Sequence, residues 1–160
     1  MAVIEFINYV IDKSYYCVND TFEYSNDKLN MPVSFGAEVG IDKIEEKAYV
    51  IINLNLGDLE NTDKTKVPFI CNVSIRGIFS YKAKDFKADS DLKNFLGKNA
   101  VAILYPYLRS YVSTITSLGN QFPAYTLPVM NFADTIQEND LITYVGFDEW
   151  TTPAYAYAKR

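Results

Sequence analysis

The chain has no histidine among its 160 residues, and it has only two cysteines. The missing imidazole excludes Ser-His-Asp and Cys-His catalysis, imidazole acid–base chemistry and nearly every catalytic zinc site. Cys17 and Cys71 are too few for a structural zinc cluster. From these absences we expect no metal site, and they argue against an enzyme.

Phosphate-binding motifs are missing as well. Gly97-Lys98-Asn99 contains a lysine, but it lacks the preceding glycine-rich loop and the Ser or Thr of a Walker sequence, and no G-x-G-x-x-G follows a strand pattern. The neighbouring acids Glu45 and Glu46 remain as a candidate carboxylate pair, although such a pair in a turn is more typical of a solvated surface. We therefore expect no cofactor.

Positive charge and long apolar runs are also scarce. The net charge is −5, so the clustered Lys and Arg that bind nucleic acid are not expected. No apolar run approaches the roughly 20 residues of a membrane span, and the first five residues lack the basic region of a signal peptide. These features predict a cytoplasmic chain without membrane insertion. Reduced cysteines fit that setting, although a disulfide between Cys17 and Cys71 stays open.

What the chain has in abundance is apolar and aromatic side chains, at 49 % and 15 % of its residues. Apolar residues alternate with polar ones over residues 6–18, 35–41, 49–56 and 67–81, which predicts four strands. Because these strands precede the helical patterns, we expect an α+β fold: a four-stranded antiparallel sheet followed by a long helix and a shorter second helix. Residues 1–160 are expected to form one domain with an unusual, aromatic-rich end over residues 141–160.

The long helix is predicted from apolar residues at spacings of three and four, namely Leu104, Leu108, Val112, Ile115 and Leu118. Gly119 marks its end, and Pro106 either kinks it or starts it again. Arg109 on the other side favours a surface or interfacial ion pair over an anion site. A short second helix is expected after Asn131, a suitable cap.

Residues 96–132 carry a recognisable series of motifs. Leu96-Gly97 is followed by Ile-Leu-Tyr-Pro-Tyr-Leu-Arg at 103–109, by Gly119, by Phe122-Pro123, and by Pro-Val-Met-Asn-Phe at 128–132. This series resembles the SecB-type protein-export chaperones. Residues 69–79 are also similar to that family, except that the neutral Asn72 stands where the family often has an acid.

The resemblance implies an ATP-independent holdase chaperone in protein export that binds extended, unfolded client or preprotein polypeptides. It implies a homotetramer built as a dimer of dimers, and docking to the SecA motor is left open because of Asn72. The expected client groove consists of Phe22, Tyr24, Met31, Phe122, Tyr125, Leu127, Val129, Met130 and Phe132. The expected oligomer interface consists of Cys71, Val73, Ile75, Leu104, Leu108, Val112 and Ile115.

The sequence leaves several alternatives open for the function and for the roles of the apolar residues. Some members of the family look like dedicated chaperones of the antitoxin in a toxin–antitoxin pair, and a non-enzymatic carrier of a small apolar ligand would also use many aromatics. The groove residues could equally be core or interface. Phe147, Trp150, Tyr155 and Tyr157 are too apolar for a solvated tail, so we expect them to pack on their own subunit or to occupy an apolar groove.

Overall fold

Five strands form a single mixed sheet, covered on one face by the long helix. The structure is a computed structural model that describes residues 3–25, 29 and 31–147. The strands are β1 (Ile4–Val18), β2 (Val33–Asp42), β3 (Lys47–Leu56), β4 (Phe69–Tyr81) and β5 (Ile142–Val145). Their order across the sheet is β1-β4-β3-β2-β5.

The first four strands are antiparallel, as the sequence predicted. β2, β3 and β4 follow one another as hairpins, and β1 lies on the far side of β4. The prediction of only four strands was wrong, because β5 pairs in parallel with Ala37–Gly40 on the outer edge of β2. β5 has only four residues, too few to show an alternating pattern, and it is held by the open backbone groups of β2.

The helices are α1 (Asp89–Phe95), α2 (Val101–Leu118) and α3 (Phe132–Glu138), with a π-helical turn (Leu96–Ala100) joining α1 to α2. Pro106 lies inside α2 without ending it. Asn131 caps α3, where its side chain accepts a hydrogen bond from the Asp134 N–H. Among the described residues, no helix combines the length and apolar character that a bilayer crossing requires.

The core lies between α2 and the inner face of the sheet. Every second residue of β4 from Phe69 to Tyr81 is buried, and so are Leu104, Leu108 and Val112 of α2. Gly77 allows this close packing, since a Cβ there would lie 3.0 Å from the Leu104 side chain. The burial pattern of α2 changes near its end.

At the end of α2, Thr116 is buried and Leu118 is exposed, although Leu118 belongs to the predicted apolar stripe. The prediction that Leu118 belongs to the buried apolar stripe was therefore wrong. Leu118 is the last residue of the helix.

The opposite face of the sheet mixes polar side chains with apolar ones such as Ile51 and Ile78. Ser74 bonds to the Asn53 side chain, and Arg76 forms a two-point ion pair with Asp12 at 3.0 and 3.1 Å. Asn72 lies on this face, paired in register with Asn55. The outer face thus carries neutral amides and one exposed ion pair.

The C-terminal segment is described as far as Phe147. Val145 and Phe147 are buried, and the Tyr144 and Phe147 rings meet edge to face at 5.6 Å. This part of the predicted aromatic end therefore packs on its own chain. Trp150, Tyr155 and Tyr157 lie outside the described residues.

Candidate functional site

Residues 122–131, between α2 and α3, form an irregular segment that hydrogen bonds attach to α2. Nε of Arg109 donates to the Leu127 carbonyl at 2.6 Å, and the Tyr105 hydroxyl donates to the Pro128 carbonyl at 2.7 Å. Burial raises the pKa of Tyr105, so its hydroxyl keeps the proton that it donates. Two side chains of α2 thus donate hydrogen bonds to two consecutive carbonyls that have no partner in a β-sheet.

A third attachment comes from Thr116. Its hydroxyl accepts a hydrogen bond from the Tyr125 N–H at 2.8 Å and donates one to the Val112 carbonyl at 2.7 Å. Because Thr116 is buried, this neutral hydroxyl uses both its donor and its acceptor capacity inside the protein. The segment is therefore ordered by side-chain contacts along its length.

These three attachment residues were missed by the sequence analysis. Tyr105, Arg109 and Thr116 are four and seven positions apart, which places them on one side of the helix. That spacing was a usable signal, but it is hidden among apolar residues. Within the described part of the chain Arg109 makes no ion pair, and its guanidinium bonds to backbone; a pair across an interface stays a prediction.

Two of the predicted groove residues belong to the core. Leu127 has no exposed surface, and Phe132 stacks on the Tyr105 ring at 4.4 Å while lying 5.0 Å from the Phe35 ring. These side chains hold the two ends of the segment against the sheet and α2. They leave no surface for a ligand in this conformation, so the structure places them beneath the expected groove rather than in it.

A second aromatic cluster connects residues 22–24 with the same segment. The Phe22 ring lies 5.0 Å from Tyr24 and 5.6 Å from Phe122, and Phe122 lies 5.9 Å from the buried Phe69. Offset and edge-to-face contacts of this kind are favourable beyond the burial of area alone. The structure thus brings Phe22 and Tyr24 together with Phe122, which lies 100 positions after Phe22 in the sequence.

The apolar side chains that remain accessible form what we call the loop surface. Tyr24 and Val129 are 73 % and 83 % exposed, and the others are partly buried against the core. The loop surface consists of Phe22, Tyr24, Met31, Phe122, Tyr125, Val129 and Met130. Seven of the nine predicted groove residues therefore offer apolar area to a ligand.

The predicted interface residues lie elsewhere than expected. Cys71, Val73, Ile75, Leu104, Leu108 and Val112 are buried within one chain, and Ile115 is partly buried. Because α2 of the same chain covers the inner face of β4, the six buried side chains have no area left for a second chain, and only Ile115 keeps some.

Exposed apolar side chains also lie along β1, and we call them the edge surface: Ile7, Tyr9, Val10, Tyr15 and Val18. Their register places Tyr9 and Val18 on the helix-covered face of the sheet and Val10 and Tyr15 on the opposite face. β1 pairs with β4 along one side, and within the described residues no strand pairs with its other side. Tyr107 of α2 extends this surface, with its ring 5.0 Å from Tyr9. A long apolar edge strand of this kind is normally paired or covered.

Reactive groups are few. Cys17 is exposed and Cys71 is buried, and both are free. Cys17 is paired in register with Ile70, whereas Cys71 is paired with Tyr16, so the two thiols point to opposite faces of the sheet and cannot bond within one chain. Burial raises the pKa of Cys71 to about 11. The described residues contain no group of three or more acidic or cysteine side chains placed to hold a metal ion.

The sequence was compared with known proteins. The profile of the SecB family, described as preprotein translocase subunit SecB, matches residues 4–140. An uncharacterised protein of Methanocaldococcus jannaschii is 28 % identical over 96 % of both chains. The protein-export protein SecB of Buchnera aphidicola is 28 % identical over 82 % of this chain and 80 % of its own. SecB of Ehrlichia chaffeensis is 30 % identical over 57 % of this chain and 52 % of its own.

Among solved structures, the SecB-like chaperone Rv1957 of Mycobacterium tuberculosis, in complex with a ChAD peptide from the HigA1 antitoxin, has a similar fold. Its TM-score is 0.65 at 19 % identity, covering 79 % of this chain and 90 % of that one. Fold, sequence profile and named relatives agree, and the chain belongs to the SecB family.

Proposed function

We propose that this chain is an ATP-independent holdase that binds extended segments of unfolded polypeptides on the loop surface. The observation that carries the proposal is an ordered, exposed apolar surface in a member of a chaperone family. An exposed apolar patch on a folded chain commonly marks a binding site. Tyr24 and Val129, the most exposed members, would be the first to contact a client.

The attachment of the segment to α2 has an energetic consequence for binding. Burying apolar area contributes about 25 cal/mol per Å², but ordering a flexible loop would oppose it. Because Arg109, Tyr105 and Thr116 already hold residues 125–128, little ordering remains to be done when a client arrives. Apolar contacts of this type select for hydrophobic, extended segments with little regard to sequence.

The same proposal includes a homotetramer built as a dimer of dimers. The edge surface supports it, since β1 presents both unpaired backbone groups and five exposed apolar side chains. Several loop surfaces on one assembly would then bind one long client together, and the effective concentration of the second site raises the overall affinity. The interface is assigned here to β1 and Tyr107 rather than to the buried residues of β4.

The client class within the family is a further part of the proposal. We favour protein export in the cytoplasm, in line with the SecB relatives. The likeness to a chaperone solved with an antitoxin peptide supports a dedicated antitoxin chaperone as the second candidate. The neutral Asn72 stands beside Asn55 on the outer face, where the family often has an acid, and a SecA pull-down with Asn72→Glu as comparison tests whether that charge is needed for docking.

The carrier alternative has less support. Cavities among the described residues have charged side chains in their walls. One lies beside Asp58 and Glu60, and another lies beside Lys93 and Lys98. A carrier of an apolar ligand needs an enclosed apolar cavity.

The test is suppression of aggregation. A reduced, unfolded client is diluted into buffer without nucleotide, with and without one assembly of this protein per client. We expect light scattering to be suppressed at a near-stoichiometric ratio, and addition of ATP to change nothing. A requirement for ATP, or undiminished scattering at a several-fold excess, would contradict the holdase proposal.

A further inference from the structure

A polar cavity of about 380 Å³ lies where α1, the π-helical turn, α3 and β5 meet. It is separate from the loop surface and from the edge surface. Its polar wall is formed by Lys93, Asn94, Lys98, Gln137, Asp140 and Tyr144. Five of these six side chains can donate hydrogen bonds, and two of them carry a positive charge.

The charge of the cavity is unusual for an acidic protein. The chain has 20 acidic and 15 basic residues, yet neither Lys93 nor Lys98 has a carboxylate within 4.0 Å among the described residues. Asp140 is the only acid in the wall, so two lysines and one aspartate leave one net positive charge. Unpaired ammonium groups beside amide and phenol donors favour an anion.

The donors are held in place by tight packing. A Cβ on Gly97 would lie 2.4 Å from the Tyr144 hydroxyl, so only glycine lets that phenol approach the π-helical turn. The Lys93 ammonium lies 4.5 Å from the centre of the Tyr144 ring, and a Cβ on Gly97 would also lie 3.2 Å from the Gln137 side-chain nitrogen. π-helical turns are rare in proteins, and those that do occur are often found at functional sites.

Part of this cavity lies outside the family match. The SecB profile ends at residue 140, whereas Ile142 and Tyr144 come from β5. The fifth strand therefore does more than extend the sheet: it supplies part of the wall that also contains Lys93 and Lys98. An anion in the cavity would contact both parts and hold them together.

We propose that this cavity binds a small oxyanion, either a carboxylate or a phosphate. Lys93 and Lys98 supply the charge, and Tyr144, Gln137 and Asn94 orient the oxygens. Because the ligand contacts α1, the π-helical turn, α3 and β5, its binding stabilises β5 against the rest of the chain. This proposal does not rest on the holdase function.

The test follows the side-chain amide signals of Asn94 and Gln137 by nuclear magnetic resonance during titration with sodium phosphate or sodium succinate at constant ionic strength. We expect one of the two anions to give saturable chemical-shift changes and a rise in Tm. The anion that does so shows whether the cavity binds a phosphate or a carboxylate. Lys98→Gln is expected to weaken binding about tenfold, since it removes a charged donor. Tyr144→Phe, which keeps the ring, is expected to weaken it less.

Lys84→Gln is the matched control, because Lys84 is exposed, lies outside the cavity and has the same charge. It is expected to leave the affinity unchanged. The proposal is overturned if neither anion gives a saturable shift, or if Lys84→Gln lowers affinity as much as Lys98→Gln. The titration contains no client. A failed anion titration therefore leaves the holdase proposal intact, and a failed holdase assay leaves the anion proposal intact.

Discussion

The loop surface and the edge surface are both apolar and exposed, but they differ in their backbone. On β1 the backbone is half paired, and its outward donors and acceptors are interrupted by two irregularities, between Phe6 and Asn8 and between Ile11 and Lys13. In residues 122–131 the carbonyls of Leu127 and Pro128 are already satisfied by α2. An extended edge strand with open backbone groups suits pairing with another copy, whereas an irregular segment anchored to α2 suits varied clients through its exposed side chains. We therefore expect β1 to mediate assembly and residues 122–131 to bind clients.

The largest expected effect is on assembly. Replacing Ile7 and Val10 together by Lys places charges in the proposed interface, where burial of an unpaired charge is strongly unfavourable. We expect the mass measured by light scattering to fall from a tetramer to a smaller species. Ile44→Lys is the control, because Ile44 is 91 % exposed in the β2–β3 turn. A wild-type chain that is monomeric at micromolar concentration would remove the basis for this prediction.

The second prediction concerns client affinity. Replacing Tyr24 and Val129 together by Ser removes the two most exposed members of the loop surface. Because fully burying one such side chain contributes about 1.5–3 kcal/mol, we expect client affinity to fall about tenfold or more. Anisotropy of a labelled unfolded client gives the affinity, and circular dichroism should show an unchanged fold. An equal loss in Ile44→Ser would mean that the effect is not local.

The third prediction tests the attachment of the loop surface to α2. Arg109→Met keeps most of the apolar stem and leaves the Leu127 carbonyl without its donor, so we expect a loss of about 1–3 kcal/mol in the free energy of unfolding. Hydrogen exchange over residues 122–130 should become faster. Arg76→Met removes the exposed ion pair with Asp12 and is expected to cost at most about 1 kcal/mol. Equal losses in both variants would contradict this role of Arg109.

The smallest effect is on thiol reactivity. In the native protein at pH 8 we expect one thiol per chain, Cys17, to react with a disulfide reagent, and two to react in denaturant. Burial raises the pKa of Cys71 to about 11, so its neutral form is favoured in the folded state. The resulting stabilisation is present below the ordinary thiol pKa and is lost as pH rises through about 11. Equal reaction rates for both cysteines in the native state would contradict the burial.

The sequence predicted the parts of the fold that have a regular period. Four strands and the long helix follow from alternation and from spacings of three and four, and Asn131 was recognisable as a cap. β5 was missed because its pairing depends on the open edge of β2, which no local pattern reveals. The residues expected at the interface are buried within one chain for a related reason: the apolar period of β4 indicates that one face is covered, but not which chain covers it.

The loop surface was located more completely, since its aromatics stand out in an irregular segment. Leu127 and Phe132 were placed in it because composition cannot separate a buried anchor from an exposed neighbour. Tyr105, Arg109 and Thr116 were missed because their partners are backbone groups far along the chain. Their spacing places them on one side of the helix, but nothing in it identifies the backbone groups that they bond.

The most direct test of the division between the two surfaces is photo-crosslinking from single positions. A benzophenone group is introduced either at Val129 or at Val10, and the assembly is irradiated with an unfolded client present. We expect adducts with the client from position 129 and adducts between copies of the chain from position 10. Client adducts from position 10 with none from position 129 would contradict the account.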